Sequence, residues 1–161
     1  MGTQEVDRIK EFFKELGIEP VYIEHEAVIT SEEAAKTRGF ELKQGIKAIL
    51  FTNNNNEWVL VNIPGDKKVD TKKVAEQIGW SKSKIRMASS EEVMDKTGCE
   101  IGAVPPFGHK EQLPIFVDKE VYGNKESAFN IGLRTHSVKI KTEYMKKVFD
   151  KIKAIEGNFS K

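Results

Sequence analysis

The feature that most constrains this chain is its punctuation. Short amphipathic segments that open on a capping side chain and close on glycine alternate with brief β-branched and aromatic runs. In residues 4–16, Val6, Ile9, Phe12, Phe13 and Leu16 recur at helical spacing, and Gly17 follows as a C-terminal stop. Thr30 with Glu33, and Ser89 with Glu92, have the spacing of a capping box, in which a hydroxyl and a carboxylate satisfy free amides at a helix start. Gly39 and Gly98 close those two segments. Asp70 is placed to cap a helix over 71–78 that ends at Gly79. Thr142 is placed to cap a terminal helix whose Tyr144, Met145, Val148, Phe149, Ile152 and Ile155 form one apolar face. Five helices are expected. Between them, residues 21–24, 48–52, 58–63, 115–117, 128–131 and 138–140 are β-branched or aromatic runs, most of them of strand length. The four asparagines at 53–56 join two of these, and asparagine tolerates turn conformations, so a hairpin with a polar tip is expected. No repeat of fixed period and no long Pro/Gly/Ser linker interrupts the pattern. With 161 residues and 39% apolar composition, the expectation is one mixed α/β (α+β) domain spanning residues 1–161.

Charge narrows the function classes. The 26 Lys and Arg residues against 25 Asp and Glu leave a net charge of +1, so no global basic field announces a nucleic-acid partner. The balance is uneven along the chain: residues 1–41 carry net −5, 42–89 net +5 and 90–161 net +1. A positive middle third fits either contact with phosphate or a solvated helix face. No run of about 18 apolar residues is present, and the first ten residues are charged rather than leader-like, so a cytoplasmic protein without a membrane partner is expected. The lone Cys99 excludes an internal disulfide and a multi-cysteine zinc site.

Conventional catalytic groupings are sparse. His25, His109 and His136 are 84 and 27 residues apart, without an HExxH pattern, so no metal is expected. His136 and Ser137 invite a base–nucleophile reading, but neighbours on a strand point to opposite faces. Cys99, near a helix end, reads as a small packed residue before it reads as a nucleophile. Neither a GxxxxGK[ST] nor a GxGxxG sequence occurs, and no cofactor is expected. Two features remain. The segment Gly102-Ala103-Val104-Pro105-Pro106-Phe107-Gly108 combines glycine with paired prolines, so the amides around Gly102 and Ala103 are expected to be free to face a ligand. Such a loop can cradle an oxyanion or a water, and it equally serves as a tight turn. Lys47 leads directly into the apolar run Ala48-Ile49-Leu50-Phe51, a position that fits either a snorkelling stem or a site cation.

The order of EHEAVITSEEAA, GIKAILF, IPGDKKVDTKKVA, GAVPPFG, LPIFVD and FNIGLRTHSVKI resembles the YbaK/prolyl-tRNA synthetase editing-domain family over about residues 20–150. The lysine-led strand, the GxxxP loop and the late Asn-x-Gly segment together carry the resemblance. It implies a compact mixed α/β domain with a partly barrel-like sheet and flanking helices. It also implies hydrolysis of the ester of mischarged aminoacyl-tRNA, here by a free-standing protein with that tRNA, and with an aminoacyl-tRNA synthetase as a further candidate partner. By the resemblance, Lys47 matches the lysine that engages the phosphate or ribose of the terminal adenosine. Gly102, Ala103 and Pro106 fall on the loop that positions the ester carbonyl or the attacking water. His25, Asn130, Gly132, His136 and Ser137 fall beside the amino-acid pocket. Some members carry a second glycine where Ala103 stands and an acidic residue near Ser137, so the accepted amino acid stays open. An activated ester needs geometry, oxyanion stabilisation and water rather than a covalent nucleophile. The competing reading is a non-catalytic module of the same fold that binds tRNA or a synthetase.

Overall fold

In the computed structural model, residues 3–26 and 41–161 are described. The helix expected between Thr30 and Gly39 lies outside them.

Four α-helices are present among the described residues: α1 (Thr3–Leu16), α2 (Thr71–Ile78), α3 (Ser90–Thr97) and α4 (Thr142–Lys151). The Asp70 carboxylate accepts from the amides of Lys72 and Lys73 at the start of α2. Ser89 and Glu92 form the full capping box of α3. Gly79 and Gly98 end these two helices in the left-handed conformation that glycine adopts without a Cβ clash.

The start of α4 corrects the sequence expectation. Lys141 is the flanking residue and Thr142 is the first helical one, its hydroxyl 2.8 Å from Ser127 Oγ and its amide bonded to Lys125 O. The other end also differs. Lys153 has φ 60°, which stops the helix, and Ile155 sits in a short edge strand, 56% exposed.

The strands are β1 (Val21–Glu24), β2 (Ile46–Thr52), β3 (Trp58–Pro64), β4 (Arg86–Met87), β5 (Ile115–Asp118), β6 (Glu126–Asn130), β7 (His136–Lys141) and β8 (Ile155–Gly157). They form a three-stranded sheet, β1-β7-β6, and a five-stranded sheet, β4-β2-β3-β5-β8. β4 and β8 are too short to announce themselves in the sequence. Asn54 and Asn56 take φ 67° and 60° in the β2–β3 hairpin, as its polar tip requires. Among the described residues the two sheets meet at a parallel bridge, Gly45 to Ala128, which joins the barrel-like assembly at one corner without closing it.

Alternation along β2 and β3 divides the five-stranded sheet into two buried faces. Phe51, Val59, Val61 and Ile63 pack with Val74 and Ala75 of α2 and with Phe159 near the C-terminus. Leu50 and Leu60 pack on the other side with Val93 of α3, Cys99 and Val104. A third cluster joins α1 and α4 to the three-stranded sheet. At its centre is Phe107, whose ring centroid lies 5.3–5.8 Å from those of Phe12, Phe13, Phe129 and Phe149. The segment from Val104 to Phe107 therefore has one foot in each of two cores. Phe107→Ala is expected to cost about 3–5 kcal/mol of stability, the range for emptying a buried aromatic site. Urea denaturation monitored by circular dichroism measures it.

Candidate active site

The loop after α3 is held by its carbonyl groups. Glu100 O accepts from Ala103 N–H at 2.9 Å, and Ile101 O accepts from Arg134 Nε at 3.1 Å and Nη2 at 2.8 Å. Ala103 O accepts from Gly132 N–H at 2.8 Å. Pro105 O lies 2.7 Å from His109 Nε2, and Pro106 O accepts from Asn62 Nδ2 at 3.2 Å. Five of the seven carbonyls from Glu100 to Pro106 thus have a partner, and the prolines contribute no amide. Gly102, at φ 83°, is exposed, and its amide donates to no described residue. The expectation of a free amide needs correction at Ala103, which is fully buried with its amide bonded to Glu100 O.

The Gly132 contact ties this loop to the turn between β6 and β7. Asn130 Nδ2 donates to Leu133 O and His136 O, fixing the turn from inside. β1 then brings His25 alongside: its amide bonds Thr135 O, and its Nε2 lies 2.7 Å from Ser137 Oγ. His136 turns the other way and pairs with Glu24 at 3.2 Å, as strand alternation requires. Ser137 has no exposed surface, which makes its hydroxyl a buried partner of His25 rather than an acyl acceptor. Ala103 is thus hydrogen-bonded to Gly132 in the turn that Asn130 braces and that the His25–Ser137 pair flanks, with Gly102 next to Ala103 in the chain and His136 at the edge.

Lys47 is placed differently. Its register partner is Ile63, on the side of the hairpin that carries Phe51 and Val61, whereas Ala48 and Asn62 face the side where Pro106 is held. Its ammonium donates to Lys67 O at 2.5 Å. Burial pushes its pKa below the ordinary lysine value, against the attraction of Asp66, and Lys68 adds to the lowering. Among the described residues, no hydrogen bond joins it to the loop at 100–106. Cys99 is buried and its thiol pKa is pushed up to about 11 by burial, which argues against thiolate chemistry.

Three residues that hold the loop escaped sequence reasoning as site residues: Asn62, His109 and Arg134. Asn62 had a signal, since it is a fully buried amide inside the apolar run of β3. His109 and Arg134 contact backbone oxygens, which leave no trace in residue patterns. Burial drives the His109 pKa down to about 4 from 6.5, so the neutral ring donates Nε2–H to Pro105 O. The unfolded chain binds this proton first as pH falls, so stability declines from about pH 6.5 towards about pH 4. The urea midpoint of wild type is expected to fall over that window by more than that of His109→Gln.

Known proteins are similar to this chain in sequence and in architecture. The family profile of the aminoacyl-tRNA editing domain matches residues 25–148, a span that contains every site residue proposed from the sequence. The chain is 36% identical over 124 residues to the multifunctional Ser/Thr-tRNA deacylase ProXp-y of Escherichia coli, covering 74% of this chain and 73% of that protein. It is 33% identical over 98 residues to the proline–tRNA ligase of Aquifex aeolicus, covering 61% of this chain and 17% of the ligase. A solved structure described as a candidate trans-editing enzyme for prolyl tRNA synthetase superposes with a TM-score of 0.84 at 25% identity, over 98% of this chain and 97% of that one.

Proposed function

Because the chain belongs to the aminoacyl-tRNA editing-domain family, we propose that it is an aminoacyl-tRNA deacylase acting in trans on mischarged tRNA. The observation that carries the chemistry is the carbonyl-anchored loop with Gly102 in an exposed left-handed turn, its amide donating to no described residue. Water adds to the ester carbonyl, the bond from that carbon to the ribose oxygen breaks, and the products are the free amino acid and a tRNA with its terminal hydroxyl restored. The negative charge that develops on the carbonyl oxygen is met by the Gly102 N–H, which is in place before the reaction begins. Ala103 and Pro106 act as anchors of that amide through Gly132 and Asn62. His25 and Ser137, with Asn130, Gly132 and His136, form the polar wall against which the amino-acid side chain is sorted. Serine and threonine are the first substrates to try, given the deacylase relative and a wall rich in hydrogen-bonding groups.

Lys47 serves the nucleic acid rather than the ester in this reading. With Lys67 and Lys68 it forms the positive edge of the 42–89 segment, suited to a phosphate of the acceptor end. Its separation from the glycine loop divides the two kinetic effects. Lys47→Ala is expected to raise KM for charged tRNA severalfold with a smaller change in kcat. Gly102→Ala forces alanine into left-handed backbone, strained by about 1–2 kcal/mol, and displaces the donor. It is expected to lower kcat about a hundredfold. The experiment is deacylation of tRNAs mischarged with serine, threonine, alanine and cysteine, beside correctly charged prolyl-tRNA, with circular dichroism as the folding control. Saturable tRNA binding with no ester released above background overturns the deacylase reading in favour of a binding module.

A further inference from the structure

The peptide unit that supplies the Gly102 amide also supplies the Ile101 carbonyl, and that oxygen is gripped by a cation. Arg134 Nε and Nη2 both donate to Ile101 O, at 3.1 and 2.8 Å. The guanidinium is held in place by Glu100, whose Oε2 lies 3.6 Å from Nε. No cis peptide occurs among the described residues, so the Ile101 C=O and the Gly102 N–H point in opposite directions. A donor pair on the oxygen therefore leaves the amide facing away from Arg134. We propose that Arg134 is a positioning residue for deacylation, which chelates Ile101 O and thereby aims and polarises the Gly102 N–H.

Two physical effects combine. Charge-assisted hydrogen bonds are about twice as strong as neutral ones, so a guanidinium on this oxygen resists rotation of an exposed peptide in a glycine turn. Electron withdrawal through the conjugated amide raises the positive charge on the N–H, the cooperative strengthening expected along a hydrogen-bonded chain. The placement also accounts for the pairing of the two loops. Arg134 stands two residues after Gly132, so the Gly132–Ala103 and Arg134–Ile101 contacts clip the same two turns together, with Gly102 between their attachment points. Lysine cannot reproduce this, because one ammonium cannot present two coplanar N–H groups to a single oxygen.

This inference rests on the deacylase reading, and the test separates the two. Arg134→Met and Arg134→Lys are compared with wild type in single-turnover and steady-state deacylation of the ester that wild type hydrolyses best. In parallel, the Gly102 amide nitrogen and Ile101 carbonyl carbon resonances are followed in labelled protein. Arg134→Met is expected to lower kcat about ten- to hundredfold with KM within about twofold, less than removal of an oxyanion donor outright. Both resonances should move while most of the spectrum stays in place. Arg134→Lys should fall between the two, and added guanidinium at non-denaturing concentration should restore part of the lost rate in Arg134→Met. A purely structural role would move KM or the whole spectrum and would not respond to guanidinium. If the resonances move but kcat stays within threefold of wild type, or if they do not move at all, the role of Arg134 is overturned and the deacylase reading stands. A wild type that releases no ester overturns both.

Discussion

The site depends on how the backbone oxygens of one loop are disposed of. A buried backbone group must be satisfied, and here the carbonyls of Glu100, Ile101, Ala103, Pro105 and Pro106 take donors from three parts of the fold: the loop itself with the nearby His109, the β6–β7 turn through Gly132 and Arg134, and strand β3. What remains for a ligand is decided by subtraction. The prolines have no amide and Ala103 spends its own on Glu100 O, while the amides of Ile101, Gly102 and Val104 donate to no described residue; of these three residues, Val104 is buried and Gly102 lies in an exposed left-handed turn. Val104 and Phe107 then pin the loop into separate hydrophobic clusters, so its conformation is fixed by packing as well as by hydrogen bonds.

That arrangement explains how hydrolysis can proceed without a nucleophilic side chain. Ser137 is sealed, and Cys99 is held as a thiol by burial. The histidines serve geometry: His25 lies against Ser137, His109 against Pro105 O, and His136 against Glu24. An aminoacyl ester is already reactive, so a positioned amide and an admitted water match the demand, and the remaining polar groups are available for choosing the side chain. Lys47 lies on the other side of the β2–β3 hairpin, bonded to Lys67 O, and in the proposed reading it serves the nucleic acid rather than the ester.

Much of the fold was legible in the residues. Asp70 with Gly79, and Ser89 with Glu92 and Gly98, marked two helices almost to the residue, because capping chemistry is local and involves only a few neighbours. The hairpin at 53–56 was legible for the same reason. Thr142 misled because its hydroxyl met Ser127, a partner fifteen residues away, instead of the amide of its own helix. Ile155 continued the helical spacing yet became an edge strand on β5, since a left-handed Lys153 redirected the chain. The two-residue β4 exists only because β2 offers it an edge.

By itself the sequence determined the local elements, the absence of a P-loop or dinucleotide fingerprint, and the motif order Lys47, Gly102, Asn130 that carries the family resemblance. These follow from short-range sterics, capping and residue type. The tertiary structure alone decided that His25 rather than His136 meets Ser137, that the Ala103 amide is spent on Glu100 O while that of Gly102 donates to no described residue, and that Asn62, His109 and Arg134 hold the loop. The physical reason is that backbone carbonyls are chemically identical at every position. Which side chain reaches which oxygen is set by the packing of strands and turns far apart in the chain, and no residue pattern encodes it.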